Sequence, residues 1–241
     1  MAGALIVAHQ DDEIFALNFL SRNPISHVYY LTDGVRKNAN YSPVIRFQEA
    51  VKSWSRIDPS VQVIQIGIQE ELRDGFLFED FNRESVEALQ QLVSALSPSF
   101  IITTLHDGSH QDHDMAFFIS KKVLPVGCPM YVFPTYRSNY FFPKFFRVMK
   151  MPSELEPKSF RVKGSVKSFI KSIQIMIDYK SQLVTWIGLA PLILFRTLLG
   201  SKVMLCDESA LEFMPKKVFF EERGRAKVEE VRISIKNCLS F

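Results

Sequence analysis

The sequence predicts an α/β fold: a Rossmann-like, doubly wound, mostly parallel sheet with helices on both faces. Three observations carry this expectation. Strand-like apolar runs alternate with helical stretches through the first 135 residues, the pattern of βαβ units with right-handed crossovers. Several of the runs are continuously apolar, as strands covered on both faces are. Polar clusters follow three of the runs, at the carboxyl edge where such sheets bind ligands.

The expected strands are residues 4–8 (ALIVA), 27–32 (HVYYLT), 61–66 (VQVIQI), 100–105 (FIITTL) and 130–135 (MYVFPT). Between them, residues 14–22, 44–56, 83–96 and 114–123 have helical periodicity, with Asn82 placed to cap the third helix and Pro98 following its end. After Thr135 the sequence is irregular and rich in Pro and Phe. A helix is expected over 163–180, then a hydrophobic segment and short strands at 202–206 and 211–213. Residues 1–135 are expected to form the core. Residues 136–241 would be a substrate-side insertion and C-terminal elements of the same domain, a smaller α+β portion covering the active-site edge.

Composition narrows the function classes. The chain has 241 residues, 47% of them hydrophobic, enough to bury a two-sided core in one domain. Cys128, Cys206 and Cys238 are odd in number and far apart, which disfavours a disulfide framework or a thiolate zinc site. The opening MAGALIVAHQDDE has a short apolar run and no basic n-region, so no secretory signal and a cytoplasmic location are expected. Residues 183–199 contain Gly188, Pro191 and Arg196, and no transmembrane helix is expected there.

Charge is uneven along the chain. Residues 1–136 hold 10 Lys/Arg against 16 Asp/Glu, whereas residues 137–241 hold 19 against 10. The basic back half, interleaved with Phe141, Phe142, Phe145, Phe146 and Phe160, suits phosphorylated substrates or peripheral contact at the inner face of a membrane. No nucleic-acid-binding pattern accompanies the bases. A dinucleotide fingerprint, a P-loop, a GxSxG elbow and an HExxH helix are all absent.

The polar clusters carry the chemistry. An open catalytic zinc site takes three N or O ligands and leaves room for water. His9 and Asp12, three apart in a strand-end turn, can reach one ion. His110 and His113 sit at i and i+3 where the fourth helix begins. Asp11, whose side chain diverges from that of Asp12, can meet a water at the same ion. His27 matches no motif, and His106 lies near the cluster as a supporting residue.

These residues also carry a resemblance. AHQDDE at 8–13 and HQDH at 110–113 resemble the AHPDDE and HxDH signatures of the PIG-L-type, LmbE-like zinc deacetylases. LTDG at 31–34, Arg46 with Glu49, Asp74-Gly75 and YKSQ at 179–182 follow in the family's order. The resemblance implies hydrolysis of the acetamide of an N-acetylated amino sugar or its nucleotide- or lipid-linked conjugate, giving free amine and acetate. It makes His9, Asp12 and His113 the ligands of zinc, or of another divalent cation in its place. Asp11 becomes the general base toward zinc-bound water, and His110 the imidazolium partner of the oxyanion. Asp112 would orient a ligand histidine, and Arg46 and Asp74 would contact sugar hydroxyls. Oligomers occur in the family.

Two departures stand out. Gln10 replaces the usual proline and is expected to loosen the turn. Gly108 stands where some members have an oxyanion-binding tyrosine, which Tyr136 or Tyr140 could replace. Two rival readings remain: a non-catalytic sugar-binding member of the same fold, and a zinc amidohydrolase acting on a non-sugar amide.

Overall fold

A computed structural model describes residues 2–138, 146–213, 215, 218–222 and 224–240. Tyr140, Phe141, Phe142 and Phe145 lie outside the described residues. Strand β1 (Gly3–Val7) is followed by α1 (Glu13–Leu20), β2 (Ile25–Tyr30), α2 (Pro43–Ile57) and β3 (Gln62–Gln65). Two one-turn helices, α3 (Ile66–Gln69) and α4 (Leu77–Asp80), lead to α5 (Arg83–Leu96), β4 (Ile101–Thr104), α6 (Gln111–Lys122) and β5 (Met130–Phe133). A hairpin of β6 (Tyr136–Ser138) and β7 (Phe146–Val148) precedes β8 (Phe160–Lys163), α7 (Val166–Asp178), α8 (Leu183–Leu199) and β9 (Gly200–Leu205). The chain continues through α9 (Glu208–Glu212), α10 (Phe219–Glu222) and α11 (Val228–Ser240).

The main sheet has seven strands in the order β3-β2-β1-β4-β5-β9-β8. The first five are parallel, and β9 and β8 add antiparallel at one edge. Strand order reverses between β1 and β4, so the crevice of this doubly wound sheet opens between their carboxyl ends. Period-two alternation splits the core. Ala4, Ile6 and Ala8 face one layer, with Met115 and Phe117 of α6 and Leu89 of α5, and Leu5 and Val7 face the other, with α1, Trp54 and Ile193.

Local signals explain most boundaries. The Ser42 hydroxyl accepts from the Ile45 amide and Pro43 stands in the first turn of α2. The Asn82 side chain accepts from Ser85 N at the start of α5.

Three expectations are corrected. The helix expected from residue 163 starts at Val166, because 160–163 pair with β9 and Ser165 caps the helix instead. The strand expected at 211–213 is replaced by α9, whose N-cap Asp207 accepts from Ala210 N. Residues 183–199 form one unbroken helix, which with the preceding turn runs Lys180–Leu199, 20 residues, long and apolar enough by length and composition to cross a membrane. Gly188 and Pro191 do not interrupt it. Both lie on its exposed side, where the Gly188 position meets no neighbouring atom.

Candidate metal centre and active site

Residues 9–12 turn sharply from β1 into α1, and the turn is closed by the His9 amide donating to the Asp12 carboxylate at 2.9 Å. His113 arrives from the first turn of α6, at the end of β4. Three potential ligand atoms thereby converge. His9 Nδ1 lies 3.2 Å from His113 Nε2 and 3.6 Å from Asp12 Oδ2, and His113 Nε2 lies 3.1 Å from Asp12 Oδ1. Zinc bonds of about 2.0–2.1 Å in a tetrahedron put neighbouring ligands about 3.3 Å apart. The cluster of His9, Asp12 and His113 is buried, and its spacing and donor set fit a divalent cation.

Each imidazole is oriented from behind. His9 Nε2 donates to Asp112 Oδ2 at 3.0 Å, and that carboxylate is itself held by the amides of Gly75 (2.6 Å) and Leu77 (3.2 Å). His113 Nδ1 donates to the Thr135 hydroxyl at 3.1 Å. Such contacts fix the ring and its tautomer for metal binding. Burial alone would raise the Asp12 carboxyl, but the His113 and His9 imidazoles hold it far below the usual carboxylate range. Burial likewise opposes charge on His9, yet Asp74, Asp112 and Asp12 together raise its pKa well above the ordinary value.

Asp11 stands beside the cluster and outside it. Its φ of 113° is a rare conformation for a side-chain-bearing residue, a strain of roughly 1–3 kcal/mol that concentrates at functional sites. Its carboxylate accepts from Arg46 Nη2 at 3.2 Å. Arg46 also donates to the Gln10 carbonyl and, from Nη1, to Ser181 Oγ at 3.2 Å, and lies over the Tyr179 ring. Burial pushes Asp11 up to about 7 against the opposing pull of Arg46. At that value it can take up a proton near neutrality.

Gln10 does not loosen the turn. It is fully buried, and its side-chain amide donates to the Thr32 carbonyl at 3.0 Å, tying the loop to the end of β2.

His110 is the N-cap of α6, its Nδ1 accepting from Asp112 N at 3.2 Å. Nε2 then carries the proton of a neutral ring, and burial, reinforced by His9 and His113, holds its pKa well below the ordinary value. The cap bond leaves Nε2 as the ring's free donor at the position where the resemblance implies an imidazolium. Asp74 lies 3.4 Å from His9 Nε2 and lines the cleft with Tyr136, whose ring centroid is 6.0 Å from that of His113. Arg46 also borders the cleft, but its contacts reach the Asp11 loop and Ser181. Gly108 has a φ of +71° and backs onto Pro215 and Val218, so a tyrosine side chain has no place there.

His106 points away from the cluster. It meets the Phe213 carbonyl at 2.8 Å and borders a separate cavity of about 410 Å³ with Phe118, Phe220 and Ile235. His27 stacks on Tyr29 within β2 and lines no part of the cleft.

Sequence reasoning missed several participants. Arg36, Thr185, Trp186 and Arg225 line the cleft, from segments whose only advance signal was their basic or apolar character. Glu13, the last residue of AHQDDE, is fully buried and accepts from the hydroxyls of Tyr30 (2.9 Å), Tyr179 (2.7 Å) and Ser53 (3.1 Å). It ties α1 to β2, α2 and the YKSQ segment, and thereby anchors the loop that carries Asp11 and Asp12.

A family model described as PIG-L, GlcNAc-PI de-N-acetylase, matches residues 4–124, half of the 241-residue chain. The chain belongs to the PIG-L family. The PIG-L match takes in His9, Asp11, Asp12, His110, Asp112 and His113 together with Arg36, Arg46 and Asp74 of the cleft, whereas Tyr136, Thr185, Trp186 and Arg225 lie beyond it. No curated protein matches the sequence. Solved structures share the PIG-L chain's fold. The conserved protein TT1542 from Thermus thermophilus is 17% identical, with a TM-score of 0.60 over 90% of this chain and 99% of its own. A triple mutant of the deacetylase Orf2 of the teicoplanin biosynthetic pathway is 13% identical, with a TM-score of 0.57 over 87% of this chain and 100% of its own. The A40926 pseudoaglycone deacetylase Dbv21 is also 13% identical, with a TM-score of 0.51 over 78% and 85%.

Proposed function

We propose that this PIG-L family chain is a zinc-dependent N-deacetylase that hydrolyses the acetamide of an N-acetylated amino sugar conjugate to free amine and acetate. The family's description and the deacetylases among the structural neighbours support a reaction of this class. The observation that carries the reading is the division of labour between adjacent carboxylates. Asp12 joins the His9 and His113 ligand atoms, and Asp11 stands strained and held by Arg46 at the cleft. A pseudoenzyme that only binds sugar has no use for such a base.

His9, Asp12 and His113 would hold the metal, which when bound supplies a Lewis acid for the acetamide carbonyl and a lowered pKa for water. The chain's own residues do the rest. Asp11 Oδ takes the proton of the attacking water and carries it toward the departing amine, and Arg46 keeps that carboxylate aimed into the cleft. The neutral His110 donates from Nε2 to the oxygen on which charge develops. Tyr136 offers a second donor in place of the tyrosine that Gly108 excludes. Asp74 and Arg36 line the approach and would take sugar hydroxyls or a linked phosphate. The three cysteines, all free, fit a reducing compartment, and we assign the protein to the cytoplasm.

The reading is tested by acetate release from N-acetylglucosamine in free, nucleotide-linked and lipid-linked form, before and after removal of metal by a chelator. Turnover of at least one conjugate that is lost on chelation and restored by zinc is expected. Unchanged turnover in the chelated protein, or none on any N-acetyl sugar, overturns it.

A further inference from the structure

The side of α8 that faces away from the protein is made of Leu183, Val184, Ile187, Gly188, Pro191, Leu192, Phe195, Leu198 and Leu199. It carries no charged or hydrogen-bonding side chain over its whole length. Val184 is 85% and Ile187 80% exposed. An outward stripe on the neighbouring α7, Val166, Ile170 and Ile177, is apolar as well. Apolar patches of this extent mark interaction surfaces. The opposite side of α8 packs through Trp186, Leu189 and Ile193 into the core, and Gly200 passes directly into β9 of the main sheet. The helix is thus held along the protein surface and cannot thread through a bilayer.

Charge decides what covers the face. From residue 160 to 202 the chain holds seven Lys/Arg and one acid, Asp178. Asp178 is buried against Lys52 and Arg56 of α2 at 2.9 Å each. Arg161, Lys163, Lys167 and Lys180 are exposed: Lys180 precedes α8, Arg161 and Lys163 meet its far end at Leu199 and Gly200, and Lys167 follows Val166 of the α7 stripe. Two copies meeting through α8 would press these basic rims together, and a protein partner would normally find polar groups to bond within the face. Anionic headgroups above an apolar layer match both features.

We propose that the exposed face of α8 lies in the surface of an anionic phospholipid bilayer, holding the protein as a monotopic, in-plane contact. The inner side of the same helix supplies Thr185, Trp186 and Leu189 to the cleft, so docking places a wall of the cleft against the membrane. Entry of a lipid-linked acetamide from the bilayer rests on the activity proposed above, whereas the docking itself does not.

The test is flotation of the full chain in a density gradient with vesicles of phosphatidylcholine plus phosphatidylglycerol, or of phosphatidylcholine alone. The wild type is expected to float with the anionic vesicles and much less with the neutral ones. Val184→Glu combined with Ile187→Glu should cut the floating fraction at least about tenfold, with the circular dichroism and the turnover of a water-soluble substrate unchanged. Lys163→Glu with Lys167→Glu, outside the apolar face, should abolish the preference for anionic vesicles and serves if the first pair folds poorly. A wild type that stays at the bottom of the gradient, or a glutamate pair that floats equally well, overturns the proposal. So does a dimer in analytical ultracentrifugation that the glutamate pair splits while flotation is unaffected. Flotation without acetate release contradicts the deacetylase reading alone.

Discussion

His9 donates from Nε2 to the Asp112 carboxylate at 3.0 Å while its Nδ1 faces Asp12 and His113. One ring thus joins the two strand-end motifs, 103 residues apart, with a carboxylate behind it and a ligand position in front. Asp112→Asn keeps an acceptor but removes the charge that makes His9 a stronger donor to metal. Zinc affinity should fall roughly 10–100-fold with the fold intact, as read by competition with a chromophoric chelator. Unchanged affinity would show that Asp112 only braces the 75–77 loop.

Metal binding should be coupled to protons. A cation needs His9 neutral, yet in the metal-free protein its acidic neighbours outweigh burial and hold its pKa well above 6.5. A raised histidine stabilises the fold fully below the unfolded value and loses that contribution as pH rises through the folded one. Asp11 acts in the same sense: its rise from 3.8 to about 7, caused first by burial, costs stability as pH climbs across that window. The gain in Tm on adding zinc should therefore widen between about pH 5 and about pH 8, because fewer protons must leave His9 to seat the cation. A gain that narrows toward alkaline pH would contradict this.

The Glu13 network predicts a purely structural phenotype. Tyr179→Phe deletes the hydroxyl that donates to Glu13 at 2.7 Å and leaves a buried carboxylate oxygen short of one donor. A loss of about 1–3 kcal/mol in urea unfolding is expected, with kcat/KM close to wild type once the protein is folded and loaded.

Arg46 is a positioning residue with a separable signature. It is 1% exposed, and Arg46→Met would leave the Asp11 carboxylate without its guanidinium partner, costing about 3–5 kcal/mol. The milder Arg46→Lys keeps a charge but loses the fork that spans Asp11 and Ser181. The acid limb of its kcat/KM profile should move to higher pH, because less positive charge reaches Asp11. A residue that merely bound sugar would raise KM and leave that limb in place.

The frame of the molecule could be read from residue order because its signals are local. Continuous apolar runs gave the parallel strands, and Asn82 marked the start of a helix whose bounds, Arg83–Leu96, match the expectation. The ligand candidates were legible for the same reason, since His9 and Asp12 share one turn and His113 one helix start. What could not be read depends on segments meeting from far apart. Thr135 behind His113 and Tyr179 on Glu13 have no spacing signature. The Nε2–H tautomer of His110 follows from a cap bond that only the folded α6 makes. The continuity of α8 was hidden by Gly188 and Pro191, which break helices by propensity but here lie on an open face.

The central claim is that Asp11 performs proton transfer beside a metal held by His9, Asp12 and His113. Zinc content and acetate release measured on the same preparation of Asp11→Asn test it most directly. Zinc bound as in wild type with turnover reduced roughly 10²–10⁴-fold is the predicted result. Turnover at the wild-type rate in the zinc-loaded variant would contradict it.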